Sequence, residues 1–208
     1  MKRLLLLCVL ALPLPAAEPL RPLGNYAGWT FADPSAWRWS GNDHFRTLTL
    51  QKQQEHKPAV RSPFNLAWLS RPDLKSFTLT VEARLTKFDA ANNDLCIAFA
   101  RQDDTHFYYA HLGETADGVH HQIHVVDNAD RKAITATRTE GSPWQPGQWH
   151  QIRVTHDTEA GKIAVYFDDL SKPVLTAEDK RFTHGTIGLG SFDDTGEFRN
   201  LEITPGTP

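Results

Sequence analysis

Within residues 95–126, LCIAFARQDDTHFYYAHLGETADGVHHQIHVV, side chains that can hydrogen-bond, stack or move a proton recur at two-residue steps: Tyr109 and His111, then Gln122 and His124. A histidine near a carboxylate can act as general base and a tyrosine as acid or orienting group. If the chain is an enzyme, His111 or His124 is therefore the candidate base, with Tyr109 as its partner. Sugars need side chains with paired donors and acceptors and a flat aromatic face. The candidate substrate-binding set is Glu82, Arg84, Gln102, Tyr109, Gln122 and Trp144. The same pattern also suits an ordinary solvated sheet face of mixed polar residues.

Two kinds of metal site are conceivable. His120, His121 and His124, with His111 nearby, supply enough imidazoles for a catalytic zinc, although their spacing matches no known zinc motif. Asp193 and Asp194 in SFDDTGEF, and Asp103 and Asp104 in RQDDTH, suit a structural calcium in rim loops. Paired aspartates also make turns unaided. Cys96 is the only cysteine after residue 17, so an intramolecular disulfide is excluded there, and a small strand-filling residue is a better account of it than a nucleophile. Of the six tryptophans, Trp144 stands between Pro143 and Pro146 in a loop and is the one expected to be exposed. The others suit packing.

The elements that must position these residues are strands. Leu95–Gln102 alternates large Leu95, Ile97 and Phe99 with small Cys96, Ala98 and Ala100, and His106–Leu112 and His121–Val126 alternate likewise. Period two marks strands with one face buried. With the aliphatics inward, the polar set and the small residues share the opposite face, an open floor for a ligand. One bulge would undo that parity. Ser76–Leu85 is one of the clearest strands, with Phe77, Leu79, Val81, Ala83 and Leu85 inward. Further short strands are expected at 46–51, 131–137, 149–156, 162–168, 186–189 and 197–204. Val60–Leu69 is an edge strand or irregular because it carries Pro63. About a dozen short strands, with turns of Gly, Pro, Asp and Asn and no amphipathic helix, predict an all-β sandwich or barrel.

Length suits one domain, residues 18–208. Residues 1–17 read as a secretory signal peptide: Lys2 and Arg3, a short apolar stretch from Leu4, then Ala16 and Ala17. A secreted protein, periplasmic or extracellular, is the expectation. Removing Lys2 and Arg3 lowers the formal charge from −3 by two. An acidic chain without a basic stripe argues against nucleic acid as partner, and no later run could cross a membrane.

Several segments carry a family likeness: Trp37 and Trp39 before a Leu48/Leu50 strand, FTLTVEARL at 77–85, IAFARQDDTHFYYAHLG at 97–113, WHQIRVTHDTEAGKIAVYFDD at 149–169 and GTIGLGSFDDTGEFRNLEI at 185–203. Together they resemble the concanavalin A-like lectin/glucanase superfamily, within it the laminin-G-like and 3-keto-disaccharide hydrolase-type secreted bacterial domains. That resemblance implies a jelly roll of two antiparallel sheets that binds carbohydrate on a concave face or rim loops, alone or beside a larger carbohydrate-active protein. It also implies a structural calcium in many members. The fold hosts enzymes and plain binders alike. The Glu-x-Asp-x-x-Glu strand of the glucanases is missing, and with it the carboxylate pair about 5 Å apart that retaining hydrolysis needs. Three functions stay open: a carbohydrate-binding module, a hydrolase or lyase of the 3-keto-glycoside type, and an adhesion module that binds protein.

Overall fold

The computed structural model describes residues 18–24, 28–42, 46–88, 92–206 and 208, and over these the chain is all β. The segment read as a signal peptide lies outside the described residues. The strands are β1 Trp29–Phe31, β2 Trp37–Gly41, β3 Arg46–Leu50, β4 Asn65–Leu69, β5 Phe77–Leu85, β6 Asp94–Asp103, β7 His106–Gly113 and β8 Gln122–Asp127. They continue with β9 Lys132–Ala133, β10 Thr135–Arg138, β11 His150–Asp157, β12 Lys162–Phe167, β13 Leu175–Glu178, β14 Thr186–Ser191 and β15 Gly196–Pro205. One sheet has seven strands in the order β1-β4-β14-β6-β7-β8-β9, the other eight in the order β10-β13-β12-β11-β5-β15-β3-β2. Every pairing is antiparallel, as the jelly-roll expectation requires.

The inner faces of the two sheets make the core. β5 alternates buried and half-buried residues along its whole length, with Phe77, Leu79, Val81, Ala83 and Leu85 inward. Facing it from the seven-stranded sheet are Leu95, Ile97 and Phe99 of β6, Tyr108, Ala110 and Leu112 of β7, and Ile123 and Val125 of β8. Pro63 ends an irregular approach, and β4 then lies between β1 and β14. No helix among the described residues is long and apolar enough to cross a membrane.

Polar side chains enter this core too. His156, at the inward end of β11, is surrounded by the rings of Phe77, Phe99 and Tyr108 at 5.5–5.8 Å, and neither ring nitrogen has a hydrogen-bond partner. Burial pushes its pKa down to about 4, although Asp157 and Asp179 pull the other way.

Candidate functional site

β6, β7 and β8 lie side by side, so Cys96 pairs with His111, Ala98 and His124 each pair with Tyr109, and His111 with Gln122. Alternation therefore does place Tyr109, His111, Gln122 and His124 on one face, the outer face of the seven-stranded sheet. That face is not an open floor. Tyr109, His111 and His124 are only 0, 1 and 2% exposed. Leu66, Trp68, Cys96, Ala98, Phe107, Tyr109, Val126 and Phe192 form a second apolar cluster there, and Val60 and Phe64 of the 51–64 segment pack onto it. The physical reason is the row of small residues. Cys96, Ala98, Gly188 and Gly190 leave a trough, and filling it removes apolar surface from water at about 25 cal/mol per Å².

Within this layer the Tyr109 and His124 rings stack at 4.9 Å and 12°. Burial, then the neighbouring His111 and Arg131, push His124 down to about 3, so it is a neutral imidazole and a weak base at physiological pH. Burial likewise pushes the Tyr109 phenol up, and its oxygen accepts from Arg131 Nη1 at 3.4 Å. Gln122 Nε2 donates to the Asp117 carbonyl at 2.8 Å and so serves the β7–β8 loop rather than an open surface.

The remaining expected residues scatter. Glu82 and Arg84 belong to β5, in the other sheet, and face outward on the opposite side of the sandwich. There Arg84 Nε donates to Glu197 at 2.6 Å and Arg199 to Glu82 at 2.7 Å. The Trp149 ring lies close to both guanidiniums, at 4.6 and 4.0 Å. Gln102 is displaced by a bulge: Ala100 has φ +51, the register shifts, and Arg101 rather than Gln102 reaches the outer face, stacked on Trp68 at 4.7 Å. Trp144 is not exposed. It is 2% accessible, packs edge-on against His150 and Phe167, and donates from Nε1 to the Leu112 carbonyl at 2.7 Å.

The expected metal groups divide in the same way. Asp103 closes the β6–β7 turn, accepting from Thr105 N at 2.7 Å and facing His106 Nδ1 at 2.8 Å. Although burial acts against it, these bonds lower its carboxyl to about 2. Asp104 pairs with Arg101 at 2.6 Å. His120 faces Asp117, and His121 turns inward at φ +53 to bond Thr139 and Ser142, so the histidines do not converge as a zinc set. Asp193 and Asp194 do converge, on Asp94.

Sequence reasoning missed a groove of about 460 Å³ on the same outer face. Trp68, Phe107 and Arg101 line it from the sheet, Phe31 at the end of β1, and His56 and Lys57 from the 51–64 segment. It offers aromatic surface beside cationic donors, with Asp104 as an acceptor at the edge. The one local signal is GLG at 188–190. A Cβ on Gly188 would come within 2.6 Å of the Trp68 ring, so only glycine lets the indole lie against β14. Gly188→Ala is expected to lift that ring and to cost about 1–3 kcal/mol, as overpacking does, measured by urea denaturation.

The sequence matches no family model and no curated protein. Solved structures with this fold include the carbohydrate-binding module CBM66 from Bacillus subtilis, 18% identical with a TM-score of 0.60 over 85% of this chain and 95% of that one. Another is the exoplasmic/lumenal domain of VIP36 in its Ca2+/Man3GlcNAc-bound form, 13% identical with a TM-score of 0.56 over 91% of this chain and 88% of that one. A third is the alginate lyase AlgAT5 of polysaccharide lyase family 7, 13% identical with a TM-score of 0.51 over 90% of this chain and 99% of that one. At these identities the likeness is one of fold: the chain is an all-β jelly-roll sandwich of two antiparallel sheets.

Proposed function

We propose that this chain is a secreted carbohydrate-binding sandwich that takes a poly- or oligosaccharide in the Trp68–Arg101 groove. The observation that carries this reading is the groove's makeup. Half-buried Phe31 and the rim of Trp68 offer apolar surface to a pyranose over a buried Phe107 floor, and Arg101, which lies over the Trp68 ring, Lys57 and His56 offer donors for its hydroxyls or carboxylates. Neighbours of the same fold that bind or cleave carbohydrate make the proposal reasonable without assigning it. Binding is favoured over catalysis because the His111, His124 and Tyr109 set is sealed beneath the aromatic layer, with Glu82 a whole sandwich away. Attachment beside a larger carbohydrate-active protein in the periplasm or outside the cell fits the same reading.

The test is a panel of polysaccharides and 3-keto-glycosides, read for binding and for product release together. Binding without products, weakened in Trp68→Ala by about 1–3 kcal/mol on the scale of an interface hot spot, is the expected result. Release of products that survives Trp68→Ala but stops in His111→Gln or His124→Gln would instead make the chain a hydrolase or lyase. Silence toward every glycan would favour a protein ligand.

A further inference from the structure

Away from the groove, at the start of β6, four ionisable side chains meet beneath the surface: Asp94, Cys96, His111 and Asp194 are 1, 0, 1 and 7% exposed. The carboxylate of Asp94, the Cys96 sulfur and an imidazole nitrogen of His111 lie within 4.8 Å of one another, and the carboxylates of Asp94, Asp193 and Asp194 form a second group of the same size sharing Asp94. His111 gives the cluster its meaning. Its Nδ1 lies 3.2 Å from the Val119 carbonyl, an acceptor only, so this nitrogen carries the proton. In the neutral ring Nε2 then presents a lone pair. That atom is buried, has no hydrogen-bond partner, and points at Asp94 Oδ2 from 3.1 Å. It faces a carboxylate whose other oxygen, Oδ1, accepts from Cys96 Sγ at 3.8 Å and from Ser191 Oγ and Phe192 N at 3.4 Å.

We infer that Asp94, Cys96 and His111 form a site for a divalent first-row transition metal of the zinc type, with Asp193 and Asp194 as neighbouring anions. Ligands about 2.1 Å from one metal stand about 3.0–3.4 Å apart at tetrahedral to right angles, and the Asp94–His111 separation falls in that range. The donor set chooses the metal. Nitrogen and sulfur beside oxygen suit zinc or cobalt, whereas calcium takes six to eight oxygens. A carbonyl fixing the far imidazole nitrogen is the usual outer-shell support of a metal-bound histidine. β6 and β7 supply all three ligands, and Cys96 and His111 are directly paired across them, so the folded sheet holds the site ready. Nothing in this site depends on glycan binding in the groove.

The test uses the full chain purified from zinc-supplemented medium, gel-filtered, and assayed for metal content. One equivalent of zinc per chain is expected, lost in His111→Gln and in Cys96→Ala, the latter a small change in a strand. Cobalt in place of zinc should show sulfur-to-cobalt charge-transfer absorption in the native chain and lose it in Cys96→Ala. A chelator should lower the melting temperature of the native chain and leave that of Cys96→Ala unmoved. A folded native chain that carries no zinc and takes up no cobalt overturns the site, and His111 and Asp94 are then a buried ion pair. A chain that binds calcium but neither zinc nor cobalt overturns it equally.

Discussion

Lowering the pH from 7 to 4 is expected to remove a large part of this protein's stability, with most of the loss between pH 6.5 and 4. His156 and His121 are both buried, and both have folded-state pKa values pushed down to about 4, His156 by burial and His121 by burial and then by Arg138. In the unfolded chain each titrates near 6.5. Between those values the unfolded state binds more protons than the folded state. Stability from these two is therefore complete above about pH 6.5 and falls as the pH drops through 4, and buried His124, held down to about 3, extends the loss below pH 4. A tenfold difference in proton affinity between the two states is worth about 1.4 kcal/mol. Each histidine thus accounts for roughly 3 kcal/mol, and the pair for a sizeable share of the roughly 5–15 kcal/mol of a typical domain. Urea midpoints at pH 7, 5.5 and 4 measure it. His156→Leu is the informative control. It removes an imidazole whose nitrogens have no partners, so it should raise stability at pH 7 by about 1–2 kcal/mol and shallow the acid slope by one histidine's share. An unchanged slope in that variant would show that His156 is not a source of the acid loss.

How much of this is legible in the sequence depends on whether the information is local. Alternation in β5 through β8 is local, and it correctly sorts inward from outward residues up to Phe99 in β6, where Ala100 then turns into the core, and for the shared face of Tyr109, His111, Gln122 and His124. What alternation cannot say is which sheet a strand joins. It puts Glu82 and Arg84 on the right side of β5, but β5 sits in the eight-stranded sheet, so they face away from the histidines. A single left-handed residue, Ala100, exchanges Gln102 for Arg101 on the outer face of the sheet. Nor does any local pattern reveal that the 51–64 segment returns across the outer face. That follows from the trough of small residues on neighbouring strands, visible only once Gly188, Gly190, Cys96 and Ala98 are brought together. Trp144 shows the same limit: two prolines suggest an exposed loop, yet the loop carries the indole to a buried carbonyl on β7.

Asn65→Ala should couple the two properties, stability and ligand affinity. Asn65 opens β4, is fully buried, and holds the groove's wall segment from three directions. Its Nδ2 donates to Gln53 Oε1 at 2.7 Å and to the Phe192 carbonyl at 2.9 Å, and its Oδ1 accepts from Gln54 N at 2.7 Å. Gln54 in turn donates to the Phe64 carbonyl and accepts from Asp33 N. Truncation leaves buried groups unsatisfied at about 1–3 kcal/mol each in the worst case, and partial relaxation of the polar segment brings the expected total to about 2–4 kcal/mol. The loss is local in kind, so hydrogen exchange should quicken first in residues 52–60, and glycan affinity should fall along with Trp68→Ala even where the rest of the fold persists. Gly190→Ala attacks the same joint from the other side, because a Cβ there would lie 1.7 Å from the Asn65 carbonyl oxygen. The two variants differ in what they disturb. Asn65→Ala frees the wall and leaves the β4–β14 ladder, whereas Gly190→Ala pries the ladder apart, a backbone clash that no side-chain rotation relieves, and should be the more damaging to the melt. If Asn65→Ala lowers the melting temperature but leaves exchange in 52–60 and the affinity unchanged, the segment is held by its apolar contacts through Val60 and Phe64, and the hydrogen bonds of Asn65 serve the sheet alone.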